Sequence, residues 1–239
     1  MKRTLLFILL ITSFILPTLV FASSKSVLGM WPSNLSVKDN YQYYNQVTQS
    51  DIESFIQTSN NKLKAATVSS LAKNILSAAS CYEVDPVYLA GLIRKESTFK
   101  TKAKSKTGAA GLTQMTGAGI KELRDQLGNR GKSYARQSNI TYFKSTSQRC
   151  LGFEWDSFKD LFYNKSNLEV KKAFYNNKKF SIFAGAMLLK VYLANATKSC
   201  EFCNMSGIYK IALEQYNGDT NRAQYALKIQ SYVNEWMSK

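Results

Sequence analysis

The 239-residue chain contains no histidine. That absence excludes Ser-His-Asp and Cys-His nucleophilic catalysis, histidine-ligated metal sites and a histidine general base. Any chemistry here has to run on carboxylates, Tyr, Lys, Ser or Cys. Proline is scarce too: Pro17, Pro32 and Pro86 are the only three, so nearly all of the chain is free to be helical. Acid is the third scarcity. Sixteen Asp and Glu stand against 32 Lys and Arg, a net charge of +16. A surface this basic calls for a polyanionic partner: nucleic acid, anionic lipid or an acidic polymer. Apolar residues are not scarce. At 45% hydrophobic and 13% aromatic, the chain can build a sizeable core and is too apolar to stay disordered.

Residues 1–22 read as a secretory signal peptide. Lys2 and Arg3 form the positive start, Leu5 to Leu16 the apolar stretch, and Val20-Phe21-Ala22 the cleavage site. An uncleaved anchor is the competing reading, because the run from Leu5 to Phe21 nearly reaches spanning length. Pro17 and the Ala22-Ser23-Ser24 junction favour cleavage, which would leave a mature chain of +14 with no other expected membrane span. The expected location is therefore periplasmic or secreted. Export permits disulfides, and the four cysteines (Cys81, Cys150, Cys200, Cys203) allow two of them in three pairings that the sequence leaves open. With no histidine and no second C-x-x-C, Cys200-x-x-Cys203 points to a disulfide more than to half a zinc site. No metal and no cofactor is expected.

Residues 23–60 read as a polar N-terminal extension, and residues 61–239 as the domain, with an insert at about 128–178. A short helix is predicted where Ser50-x-x-Glu53 has the form of a capping box ahead of Phe55 and Ile56. Val68, Leu71, Ala72, Ile75, Leu76 and Ala79 recur at helical spacing. Asp85-Pro86 then restarts a helix, Asp as N-cap and Pro at the first position, running to about Glu96. Thr116 to Leu127 predicts a helix stopped by Gly128, and helices are predicted at 180–196, 206–216 and about 221–237. Residues 140–180, rich in Lys, Asn, Phe and Tyr, show no clear period. The fold class is mainly α.

Glu96 is the carboxylate to single out. It ends an apolar helix and opens a stretch rich in Gly and Lys. A helix C-terminus and apolar neighbours both raise a carboxyl pKa above its ordinary ~4.3, which is what a general acid needs near neutral pH. Lys95 and Lys100 would act the other way on a merely solvated Glu96.

The string Glu96-Ser97-Thr98-Phe99, Ala103, Ser105, Gly108-Ala109-Ala110-Gly111-Leu112-Thr113-Gln114 resembles the SLT-type lytic transglycosylase domain, written E-S-x-F-x-x-x-A-x-S-x-x-G-A-x-G-L-M-Q, without a gap. Phe183 to Leu189 is similar to that family's A-G-x-x-Y-L helix, and Ala212 to Gly218 to its A-x-x-x-Y-N-x-G block; Tyr225 to Ile229 is a fainter likeness to its closing Y-V-x-K-V helix. Thr113 stands where the family prefers Met, and Met187 and Leu188 stand in the place of the Y-L residues. The resemblance implies a lysozyme-like α fold in a single domain and cleavage of peptidoglycan glycan strands. It implies Glu96 as the single acid, then base, and Tyr216 as the tyrosine that hydrogen-bonds it. Ser97 and the run Gly111, Leu112, Thr113, Gln114 and Met115 would hold the sugar, with Asn217 supporting the same wall.

No Asp or Glu lies between Ser97 and Lys121, while Lys100, Lys102, Lys104 and Lys106 do. An ordinary glycosidase needs a second carboxylate, which would have to come from Glu122, Asp125, Glu154, Asp156 or Asp219. The transglycosylase route needs none, because the substrate's own C6 hydroxyl closes a 1,6-anhydro ring. The lysines read either as a rim for the carboxylates of peptide stems or as a solvated loop. A hydrolytic muramidase and a non-catalytic wall-binding protein are the alternatives. A nucleic-acid binder is disfavoured because no aromatics interleave the lysines. The setting stays open between wall turnover, predation, lysis and assembly of an envelope or secretion machine, with its protein partners.

Overall fold

The structure, a computed structural model, describes residues 46–129, 135–200, 202–218 and 221–238. The expected signal peptide at 1–22 and residues 23–45 of the expected N-terminal extension lie outside the described residues. Among those described, helices carry the fold, and the β features are isolated bridges at Lys104–Ala110 and Ala110–Met115.

The chain forms α1 (Gln49–Ser59), α2 (Ala65–Tyr82) and α3 (Pro86–Ser97), then a non-helical stretch leading to α4 (Gly117–Gln126). The insert folds as α5 (Gln137–Leu151), a 3-10 turn (Gly152–Glu154), α6 (Trp155–Tyr163) and α7 (Asn167–Asn176). Three helices close it: α8 (Lys178–Ser199), α9 (Met205–Asn217) and α10 (Arg222–Met237).

The caps follow the sequence at most ends. Asp85 accepts from the amides of Val87 and Tyr88 with Pro86 behind it, and Thr116 caps α4 through the Gly119 amide. The capping box of α1 is built from Thr48 and Asp51, two residues earlier than predicted. Glu53, the acid of the expected box, instead accepts from the Gln49 side chain at 2.7 Å.

Helix α8 is the hub and packs against α2, α4, α7 and α9. It is apolar on every side, as a helix surrounded by others must be, with Ile182, Phe183, Met187, Leu189 and Leu193 fully buried. By length and composition it could cross a membrane, contrary to the expectation that no segment after the leader could. Its burial inside the molecule identifies it as a core helix.

Helix α1 is not an appendage. Ile52 and Ile56 are fully buried against α2 and α3, and Phe55 meets Phe99 edge-on at 6.2 Å. Residues from Val47 on therefore pack into the same core as the residues after the boundary drawn at residue 60. Helix α3 lies against α10 with Gly91 at the crossing, where an added Cβ would come 3.2 Å from Ile229. That close approach fixes the end of α3 beside the start of α10. Truncating Ile229, fully buried at this contact, should cost about 2–5 kcal/mol.

The cysteines form Cys81–Cys150 and Cys200–Cys203. The first bridges 69 residues and ties α5 of the insert to the end of α2. The second closes the turn between α8 and α9.

Candidate active site

Glu96 is placed by an unusual turn. After Ser97 the chain enters the left-handed region at two consecutive non-glycine residues, Thr98 (φ 49°) and Phe99 (φ 58°). Such conformations cost about 1–3 kcal/mol each and persist only where the surroundings impose them. Here the surroundings are identifiable. The Thr98 amide donates to the Arg94 carbonyl at 3.0 Å, the Asn60 side chain donates to the Thr98 carbonyl at 2.8 Å, and Phe99 is fully buried on Phe55. The linker after α1 thus helps hold the turn that presents Glu96. Neither Asn60 nor Phe55 is recognisable as a site residue from the sequence alone, because each acts through a fold-dependent contact.

The Glu96 side chain is half-buried, and its carboxyl is raised above the ordinary range. Burial is the main cause; a hydrogen bond from Tyr225 and the charge of Lys95 work against it without winning. The Tyr225 hydroxyl donates to Glu96 Oε1. This corrects the expected role of Tyr216, whose hydroxyl donates instead to the Thr113 carbonyl at 3.0 Å. The reason is the packing. Tyr216 is in the last turn of α9, over the stretch at 113, whereas Tyr225 is in the first turn of α10, which α3 meets along Gly91. Both phenols are raised well above 10 by burial and by the Glu96 charge, so both remain protonated donors. Tyr192 of α8 packs edge-on against Tyr216 at 6.1 Å.

The remaining expected site residues divide sharply. Ser97 is buried and its hydroxyl donates to the Ile93 carbonyl at 3.0 Å, so its proton is held within α3. Gly111 sits at φ +79°, where an added Cβ would lie 2.6 Å from Ser181 Oγ and 2.8 Å from the Phe174 carbonyl; only glycine fits. Its amide donates to the Ala103 carbonyl at 3.0 Å. Leu112, Thr113 and Met115 are buried, so their side chains build the floor from beneath. The departure from the family pattern at Thr113 has a local counterpart. Thr113 Oγ1 donates to the Ser181 carbonyl at 3.0 Å, and its methyl is seated so close to Gly185 that a Cβ there would come within 2.4 Å. Gln114 (φ 45°) is only half-buried, and its amide nitrogen binds the carbonyls of Gly111 at 2.8 Å and Ala103 at 3.2 Å. It is the member of the run that reaches the surface. Asn217 ends α9 before Gly218 at φ +66°, one residue from Tyr216.

The candidates for a second acid are dispersed. Glu122 accepts from Gln126 at 3.0 Å and its charge reaches Tyr192. Asp125 is buried, Glu154 is paired with Lys179, Asp156 is in the first turn of α6, and Asp219 lies outside the described residues. Among the described residues no three of His, Cys, Asp and Glu gather into a metal-binding group.

A protonatable carboxyl at a helix end, a neutral phenol donating to it and a glycine-dependent turn after it form an arrangement chemically able to deliver a proton, on a mainly α, lysozyme-like fold. Residues 73–184 match the family model of the transglycosylase SLT domain, the family that the sequence motifs resemble. Family members are lytic transglycosylases acting on peptidoglycan. The match runs from α2 through the insert into α8; Tyr192, Tyr216 and Tyr225 lie beyond it. No solved structure matches the chain.

Proposed function

We propose that this protein is an exported peptidoglycan lytic transglycosylase that cleaves the MurNAc-GlcNAc β-1,4 bond and leaves 1,6-anhydromuramic ends. The observation that carries this reading is the Glu96 carboxyl, raised by burial and met by the Tyr225 hydroxyl. The next 25 residues contain no second carboxylate.

The neutral Glu96 carboxyl protonates the leaving glycosidic oxygen as the bond to the muramyl C1 breaks. The substrate's N-acetyl oxygen stabilises the cation at C1. Glu96, now ionised and stabilised by the Tyr225 hydroxyl, takes the proton of the C6 hydroxyl. O6 bonds to C1 and closes the ring. Glu96 ends as it began, and no water is consumed. An intramolecular hydroxyl has a high effective concentration, so it outcompetes water that no base activates.

Mass spectrometry of the ends released from purified sacculi tests the reading, since anhydro and reducing ends differ by one water. Anhydro ends should predominate. Predominantly reducing ends would mean hydrolysis and would direct attention to Glu122, whose charge reaches the tyrosine packed on Tyr216. Undigested sacculi would leave a wall-binding protein. Export rests on the leader-like residues 1–22 and on four cysteines placed in two disulfides. A mature N-terminus at Ser23 supports it; an intact leader overturns cleavage.

A further inference from the structure

The stretch that follows Glu96 carries a second, electrostatic feature. From residue 100 to 106 exposure alternates: Lys100, Lys102, Lys104 and Lys106 face solvent, while Thr101, Ala103 and Ser105 are half-buried between them. The backbone beneath is pinned. The Ala103 carbonyl accepts from the Gly111 amide and the Gln114 side chain, and the Ser105 amide donates to the Ala109 carbonyl at 3.0 Å. The Lys100 amide donates to the Ser97 carbonyl at 3.0 Å, so the row of lysines starts on the turn that follows Glu96. Lys171 of α7 extends the row, its Nζ 3.7 Å from where a Cβ of Gly108 would be.

Elsewhere the lysines that reach an acid use it: Lys165 with Asp160, Lys179 with Glu154, Lys190 with Glu83 and Lys210 with Glu214. Among the described residues no carboxylate stands at ion-pair distance from Lys100, Lys102, Lys104, Lys106 or Lys171. Five cations on and next to the fixed stretch that follows Glu96, with no carboxylate partner among the described residues, are complementary to an anionic part of whatever Glu96 acts on. Single-stranded nucleic acid would call for exposed rings to stack its bases, and Phe99, the one aromatic between Glu96 and Lys121, is fully buried.

We propose that Lys100, Lys102, Lys104 and Lys106, with Lys171, form a subsite for the carboxylates of the peptide stems carried by the glycan strand, so that the protein prefers stem-bearing to stripped glycan. The proposal rests on the reading of Glu96 as a glycan-cleaving acid, and its test separates the two. Glycan strands with stems, and the same strands stripped by an amidase, are digested by the wild-type protein, by the quadruple Lys→Gln variant at 100, 102, 104 and 106, and by Glu96→Gln. The quadruple variant should keep the wild-type melting temperature, because all four side chains are exposed. On stem-bearing strands its kcat/KM should fall about tenfold or more, the lower range of electrostatic steering, chiefly through KM. On stripped strands it should match wild type. Raising salt should reproduce this loss in wild type and do little to the variant.

Equal losses on both substrates, or none on either, would overturn the subsite. Undiminished cleavage of stripped strands by Glu96→Gln would overturn the catalytic reading and leave the subsite standing or falling on binding. Pelleting with sacculi before and after amidase treatment reads that binding without turnover. Stem-dependent retention lost in the quadruple variant supports the subsite, and retention that survives amidase treatment overturns it.

Discussion

Lys190 and Glu96 are both withdrawn from water, but only Lys190 is given an opposite charge at contact distance. Its side chain has no exposed surface, and its Nζ lies 3.2 Å from Glu83 Oε2, beside the disulfide that ties the insert to α2. Glu96 meets a neutral phenol instead. The nearby cation, Lys95, is exposed, sits 5.6 Å from the centre of the Tyr225 ring and acts on Glu96 only through its field. The difference separates holding a structure from doing chemistry. A counter-charge in contact fixes a group in its ionised state. A phenol stabilises the carboxylate without forbidding the acid, so the proposed reaction can use Glu96 in both states, its carboxyl raised above the ordinary range by burial.

The sharpest way to break this contrast is Glu96→Gln. Activity on sacculi should fall by at least ~10²–10⁴-fold, the range attributed to general acid–base catalysis, while the fold is kept. Stability should respond in the opposite direction. Because the folded carboxyl is raised, the folded state binds more protons than the unfolded state as pH rises from the ordinary carboxyl range through the folded pKa, and wild-type stability falls across that window. The Gln variant lacks this slope and should melt at or above wild type at neutral pH. A folded variant with near wild-type turnover would remove Glu96 from the mechanism.

At the structural end, replacing Cys81 and Cys150 together by Ala should cost about 4 kcal/mol by the loop-entropy relation, given a separation of 69 residues. Replacing Cys200 and Cys203, three apart, should cost about 1.6 kcal/mol, a little over a third as much. Urea unfolding measures both. Turnover per folded molecule of the Cys81/Cys150 variant should be close to wild type; a loss matching Glu96→Gln would mean that the two ends are not independent.

A smaller effect distinguishes the two tyrosines. Tyr225→Phe removes the hydrogen bond that favours ionised Glu96, so the Glu96 pKa should rise further and the alkaline limb of the pH–activity profile should move to higher pH. Tyr216→Phe leaves the Thr113 carbonyl without its donor. It should cost roughly 1 kcal/mol of stability and leave the position of that limb unchanged. If the limb moves with Tyr216→Phe and not with Tyr225→Phe, the geometry at Glu96 is wrong.

Which tyrosine meets Glu96 was the part of the site that sequence could not resolve. Tyr216 and Tyr225 are nine residues apart on different helices, and only the crossing of α3 and α10 decides between them. The available signals were the faint likeness of Tyr225 to Ile229 to the family's closing helix and the place of Tyr225 one turn before Ile229 on the apolar face. The setting of Glu96, a half-buried carboxyl raised at a helix end, was legible, since the helix end and its apolar neighbours are local. The helices were legible where aliphatic residues keep a 3.6-residue period, as in α2, α9 and α10, and where Asp85-Pro86 marks a start. The insert was not, because its core is a set of widely spaced aromatics, Phe143, Phe158, Phe162 and Phe174, embedded in Lys and Asn. Those rings find partners on other helices: Phe158 on Phe180 at 5.3 Å and Phe162 on Phe174 at 6.1 Å. The disulfide pairing was illegible for the same reason, being a property of where α2 and α5 meet.

The smallest expected effect is at Lys190, and its sign is informative. Burial lowers its pKa to about 8, with Glu83 recovering only part of the loss. In the unfolded chain it titrates near 10.5. Between those values the unfolded state binds more protons, so wild-type stability rises with pH from about 8 to 10.5, and below 8 the full cost of burying the ammonium is present. Lys190→Met keeps an unbranched apolar side chain in the cavity and leaves Glu83, whose side chain is 24% exposed, in contact with water. Replacing a buried ion pair in this way is commonly neutral or stabilising, by roughly 1–4 kcal/mol. Thermal melts at pH 7 should therefore show the variant equal to or above wild type, with the gap closing as pH approaches 10.5. Turnover should be unchanged, because Lys190 does not touch the site. A loss of stability at pH 7 would mean that the ion pair is needed to position the end of α2 against α8, and the contrast with Glu96 would then be one of degree.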